Sequence, residues 1–172
     1  MYDCLYPGSQ FNGTQRSSTQ NYSVNVVIQH VDLDNSTFSG YLSILGLAEK
    51  YLKLTTFFEA EIIGDEYSFL TRKWETTERT DIDHWFRFPQ FSEYKDTFNR
   101  DGFSEDFSQK DFLFMRWKEQ FLVPDHTVVH VDGASYDGFY YMCFQKSKGV
   151  FEGFYFHKSS EKYQKIEMKH QP

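Results

Sequence analysis

From Leu113 to Phe121 the side chains alternate between the two faces of a strand, and the face with the largest apolar groups also carries a carboxylate. Leu113, Met115, Trp117, Glu119 and Phe121 share one side, and Phe114, Arg116, Lys118 and Gln120 the other, because successive residues of a β-strand point in opposite directions. A glutamate in line with Met115 and Trp117 points into a core, where an unpaired charge costs several kcal/mol. No Lys or Arg lies on that face within the strand, so the partner comes from elsewhere. Two kinds satisfy it. An Arg or Tyr from a neighbouring strand makes the pairing structural, whereas a bound cation makes Glu119 a recognition group.

The period of two recurs along the chain. Tyr22, Val24, Val26 and Ile28 form one series and Phe38, Gly40, Leu42 and Ile44 a second. Thr56, Phe58, Ala60 and Ile62 form a third, with Phe57, Glu59 and Glu61 opposite. Further strands are expected over 138–145, 150–157 and 162–168, with turn chemistry at Asp132-Gly133, Asp137-Gly138 and Lys148-Gly149. The stretch 71–110 breaks the pattern. Thr80 can cap a helix with Asp81 and Asp83 in its first turn, Pro89 can open a second, and Phe91, Tyr94 and Phe98 follow at helical spacing. These aromatics are expected to pack against the outside or an end of the sheet. The chain is therefore expected to be mainly β, a closed antiparallel barrel of about eight strands with a helical insertion at about 75–108. One domain is expected over 1–172. A barrel of this size encloses side chains or one small ligand, and Glu119 faces its lumen.

Aromatic residues are abundant, with 19 Phe, 12 Tyr and 3 Trp available to fill a core. The net charge of -7 disfavours nucleic acid and anionic membranes as partners and suits a neutral or cationic ligand. Cys4 and Cys143 are too few to staple a chain of 172 residues, so free thiols and a reducing compartment are expected. No apolar run approaches the roughly 18 residues of a membrane span. Met1 to Pro7 lacks the charged start and apolar middle of a signal peptide, so a cytoplasmic or nuclear protein is expected.

Other constellations are less specific. Glu59 and Glu61 point the same way from one strand and resemble a glycosidase carboxylate pair, but a charged outer face explains them equally well. His126 and His130 have the spacing of a metal pair on a helix, whereas Pro124 and the valines around them favour extended structure. No glycine-rich phosphate loop matches the nucleotide fingerprints. The run Val131 to Tyr141 reads either as turns or as a loop over a ligand, with Tyr140 supplying a hydroxyl. An aromatic barrel of this kind also suits a lipocalin-like binder of a small apolar molecule.

Several long segments, in order, resemble the substrate-receptor subunits of the GID/CTLH ubiquitin ligase, the vacuolar import and degradation protein family. They are SQFNGTQ at 9–15, GYLSILGL at 40–47, LTTFFEAEI at 54–62, FLTRKW at 69–74, FMRWKEQFLVPDH at 114–126, GASYDGFYY at 133–141 and EGFYFH at 152–157. The resemblance implies a barrel whose open end binds the N-terminal peptides of client proteins, preferentially those starting with proline. It implies delivery of those clients for ubiquitination and proteasomal degradation, with no cofactor and with transfer chemistry on other subunits. By the same resemblance, Glu119 contacts the client's amine, while Gln15 and Tyr140 hydrogen-bond its first residues. Leu47 and Leu54 then form an apolar wall, and Gly133, Ser135, Tyr136 and Tyr155 line the rest of the pocket. A scaffold subunit of the ligase is the implied second partner.

Overall fold

A computed structural model describes residues 4–48, 51–123, 137–158 and 163–172, apart from the side chains at 47, 48, 51 and 52. Eight strands follow one another around a closed barrel: β1 (Gln10–Arg16), β2 (Asn21–Asp32), β3 (Thr37–Ala48), β4 (Tyr51–Ile62), β5 (Phe112–Leu122), β6 (Phe139–Gln145), β7 (Val150–Phe156) and β8 (Gln164–Gln171). Every neighbouring pair is antiparallel, and β1 closes the ring on β8. The inward series read from the sequence are the ones that meet across the ladder. Val26 faces Leu42, Leu42 faces Thr56, Ala60 faces Trp117, and Trp117 faces Tyr140. The Lys148-Gly149 pair makes the turn between β6 and β7, with Gly149 at φ +63°.

Strand β1 has no clear apolar alternation, yet it supplies a seam of the barrel. Gly13 is required there, because a Cβ would lie 1.7 Å from the carbonyl oxygen of Glu167 on β8. Strand β8 begins later than the sequence pattern suggests and runs on through Lys169 and His170, which pair with Asn12 and Phe11. The polar end of the chain thus completes the closure.

The interior of the barrel is packed with rings that begin at Phe58, the cross-strand neighbour of Glu119. Phe58 stacks on Trp117 at 4.4 Å, Trp117 meets Phe151 at 4.8 Å, and Phe151 lies against Phe11 at 4.9 Å and Phe144 at 4.3 Å. Each buried Phe contributes about 1.5–3 kcal/mol by leaving water, so this plug is a main source of stability. Phe121 does not join it. A bulge at Gln120 pairs Phe57 with Phe121 and Phe58 with Glu119, which turns Phe121 to the outer surface, where it is half-exposed and stacked on Phe57 at 5.1 Å.

The segment between β4 and β5 covers the outer wall. Helix α1 (Glu78–Trp85) starts three residues earlier than the Thr80 cap read from the sequence, because the Thr77 hydroxyl accepts the Thr80 N–H at 3.2 Å. Pro89 opens a 3-10 helix over Pro89–Tyr94, and a short 3-10 turn follows at Phe107–Gln109. Phe69, Phe91, Tyr94 and Phe107 surround Phe114 on the outside of β5, and Trp85 meets Tyr141 at 4.9 Å.

The covering explains why outward-facing charges are buried. Arg116 pairs with Glu61 at 3.1 Å and donates to the carbonyls of Ser68 and Phe69, while Lys73 also pairs with Glu61. Glu61 is locked in this cluster and Glu59 is exposed, so the two do not form an acid–base pair around a cleft. Asp81 is also buried, accepting from the Thr71 N–H and hydroxyl and from Tyr141 Oη at 2.8 Å. Burial raises its carboxyl above the usual range against the pull of those donors.

Candidate functional site

The inward side chains nearest the β5–β6 and β7–β8 connections are polar. Glu119, near the end of β5, is buried. Its Oε2 accepts from the Thr56 hydroxyl at 3.0 Å, and its Oε1 from Tyr155 Oη at 2.8 Å. The Tyr155 oxygen in turn accepts the Gly138 N–H at 3.1 Å, and the Gly138 carbonyl accepts the Glu119 N–H at 3.0 Å. Gly138 fits because a Cβ would sit 2.6 Å from Tyr155 Oη and 2.3 Å from the Phe156 carbonyl oxygen.

Beside this group, Tyr140 Oη donates to Gln15 Oε1 at 2.6 Å, and Gln15 Nε2 donates to Gln164 Oε1 at 3.2 Å. The Tyr140 and Tyr155 rings lie 4.9 Å apart. Six strands therefore supply the site: β1 gives Gln15, β4 Thr56, β5 Glu119, β6 Tyr140, β7 Tyr155 and β8 Gln164.

No Lys, Arg or His among the described residues forms an ion pair with Glu119. Lys118, its neighbour in sequence, points to the other face, where it donates to the Glu119 carbonyl at 2.6 Å and pairs with Asp137 at 3.1 Å. Burial drives the Glu119 carboxyl up from its ordinary 4.5 to about 7, and the Tyr155 and Thr56 hydrogen bonds oppose that rise. Burial and the nearby carboxylate also hold the Tyr140 and Tyr155 phenols well above their ordinary range, so both remain protonated. The neighbouring Tyr anticipated as a structural partner is present as Tyr155. A hydrogen bond distributes the charge of a carboxylate without neutralising it, so near neutral pH the group is met either by its own proton or by an incoming cation.

Of the residues named from the sequence, Glu119, Tyr140, Gln15 and Tyr155 come together. Leu54 is buried two residues before Thr56 on the same face and pairs with Ile44. Leu47 lies within β3, with its side chain outside the described part, and Gly133, Ser135, Tyr136, His126 and His130 fall outside the described residues. Sequence reading assigned no role to Thr56 or Gln164. The signal for Thr56 was available, since a hydroxyl in line with Phe58 and Ala60 is polar on a core face, as Glu119 is. Among the described residues no group of His, Cys, Asp and Glu is arranged to hold a metal, and no helix is long and apolar enough to cross a membrane. Among the described residues Cys4 and Cys143 are not joined in a disulfide.

Fold and site together define a closed eight-stranded β-barrel with a buried acidic site near one end. The chain belongs to the Vacuolar import and degradation protein family, whose pattern matches residues 4–171. It is 54% identical over 169 residues to the glucose-induced degradation protein 4 homolog of Mus musculus, covering 98% of this chain and 78% of that protein. It is 36% identical over 166 residues to GID complex substrate-recognition subunit 4 of Schizosaccharomyces pombe, covering 90% and 85% of the two chains. With the subunit of the same name from Saccharomyces cerevisiae it shares 32% identity over 222 residues, covering 95% of this chain and 61% of that protein.

Proposed function

We propose that the protein is a substrate-recognition subunit of a GID/CTLH ubiquitin ligase and binds the free N-terminus of client proteins, proline preferred. The observation that carries this reading is a buried carboxylate with no ion-pair partner among the described residues, set beside further inward-facing hydrogen-bonding groups. A chain-terminal ammonium is cationic near neutral pH and forms short charge-assisted bonds to carboxylates. The two yeast relatives are GID complex substrate-recognition subunits, which supports the same conclusion.

In this reading Glu119 pairs with the amine, and Gln15 and Tyr140 hydrogen-bond the first residues of the client. Leu47 and Leu54 form an apolar wall against its first side chain, and Gly133, Ser135, Tyr136 and Tyr155 complete the lining. The protein recruits clients and leaves ubiquitin transfer to other subunits, attached through a scaffold subunit in the cytoplasm or nucleus. Peptides with free and acetylated N-terminal proline, compared by fluorescence polarisation, test the reading. Acetylation removes the charge and is expected to abolish binding. Equal affinity for the two peptides overturns it.

A further inference from the structure

Lys118 lies on the outer face of β5 beside Glu119, and its ammonium carries three N–H donors. Three acceptors meet them: the Glu119 carbonyl at 2.6 Å, the Asp137 carbonyl at 3.3 Å and Asp137 Oδ1 at 3.1 Å. With its side chain only 14% exposed, Lys118 acts as a tie between strands and not as a solvated charge.

The tie falls where the ladder has run out. Lys118 with Phe139 is the last regular pair between β5 and β6, so Asp137 and Gly138 stand before the first residue of β6. Gly138 nevertheless has a fixed task. Its carbonyl accepts the Glu119 N–H, and its own N–H fills an acceptor site on Tyr155 Oη, which leaves the tyrosine proton for Glu119 Oε1. An ammonium on the outer face is thus connected to a carboxylate on the inner face through two backbone groups and one hydroxyl. Recognition groups keep a productive geometry when a supporting layer of this kind locks them.

We infer that Lys118 is a positioning residue for the amine site, its ammonium clamping Asp137 and Gly138 onto β5 so that Tyr155 holds one oxygen of Glu119 in place. The inference rests on the proposed recognition of a client amine and adds to it a residue on the opposite face of the wall. Lys118 also favours the ionised form of Glu119 through space. That influence does not pass through Tyr155, and the difference separates the two roles.

The test uses the full chain and a peptide with a free N-terminal proline, read by fluorescence polarisation. Lys118→Met keeps most of the aliphatic stem and removes the three donors. It is expected to bind the peptide about tenfold more weakly than the wild type. In a Tyr155→Phe background, where the connecting hydroxyl is gone, the same change is expected to weaken binding by about threefold or less. Binding by Lys118→Met as tight as that of the wild type, or an equal loss in both backgrounds, overturns the inference. Should Lys118→Met fail to fold by circular dichroism, or Tyr155→Phe bind too weakly to measure, Asp137→Ala removes one acceptor of the clamp at an exposed position. Hydrogen exchange must then show reduced protection of the Gly138 N–H, and the peptide must bind more weakly; no change in either overturns the inference. The acetylated peptide is run alongside. If the wild type binds both peptides equally, recognition itself fails; if it requires the free amine and Lys118→Met matches it, only the role of Lys118 fails.

Discussion

Glu119 and Phe121 stand two residues apart on one strand and project to opposite faces of it. The bulge at Gln120 lies between them, and its extra residue reverses the sense of everything that follows on β5. Past the bulge the inward sense returns only at Leu122, which pairs with Thr56 at the end of β5. Phe121 belongs instead to an outer row in which Tyr41, Phe57 and Phe121 lie side by side on β3, β4 and β5, the two contacts at 5.5 and 5.1 Å.

Truncation separates the two sides of this strand. Phe114, surrounded by rings of the insertion, is about 1% exposed, and Phe114→Ala is expected to destabilise by about 3–5 kcal/mol. Phe121, 50% exposed, should lose about 1 kcal/mol or less on the same change. Urea unfolding at neutral pH measures both, and equal losses contradict the outward placement of Phe121.

The buried Glu119 carboxyl makes stability depend on pH. Its raised value means that the folded state holds the proton through a range in which the unfolded chain has released it. This contribution is complete below about 4.5 and is lost as pH rises through about 7, which corresponds to about 3 kcal/mol. Glu119→Gln is expected to be more stable than the wild type above pH 7 and to match it near pH 4. The difference between the two pH profiles isolates Glu119 from Asp81 and His84, which are buried in both proteins.

Peptide affinity should follow the charges of both partners. Below about 7 the Glu119 carboxyl must release a proton before it can pair, so affinity is expected to fall towards tenfold per pH unit as the solution becomes more acid. Above about 8 a typical α-amino group loses its own charge, and affinity falls again. Calorimetry between pH 5.5 and 9.5 should trace a bell with its top near neutrality. A flat profile would separate the carboxylate from binding.

Gly138 links the wall to the carboxylate. Gly138→Ala places a methyl where Tyr155 Oη and the Phe156 carbonyl now lie, so the tyrosine must shift from Glu119. A stability loss of about 1–3 kcal/mol is expected, as for overpacking elsewhere, together with weaker peptide binding. Thermal unfolding and fluorescence polarisation read the two effects separately.

Residues whose orientation is fixed by alternation alone were legible in the sequence. Val24, Leu42, Phe58 and Trp117 face inward as their spacing requires, and Glu119 with them. Phe121 was not, because a bulge adds a residue without leaving a Gly or Pro to mark it. The Thr77 cap was hidden for a similar reason, since Thr77 and Thr80 offer the same chemistry three residues apart and only the helix axis chooses between them. Glu61 and Arg116 read as solvent-facing until the insertion folds over them, an outcome that no local pattern encodes. Gln15 and Tyr140 lie 125 residues apart in sequence, and the resemblance to a known family linked them where spacing alone did not.

The ring-filled interior of the barrel makes its lumen a cul-de-sac. With Phe11, Phe58, Trp117 and Phe151 already touching, a polypeptide cannot thread through it. A stretch from the middle of a chain would have to enter doubled back on itself, two backbones abreast in a space built for side chains. In the proposed reading a single chain end needs room for one backbone at Glu119, so the plug would favour termini over interior segments.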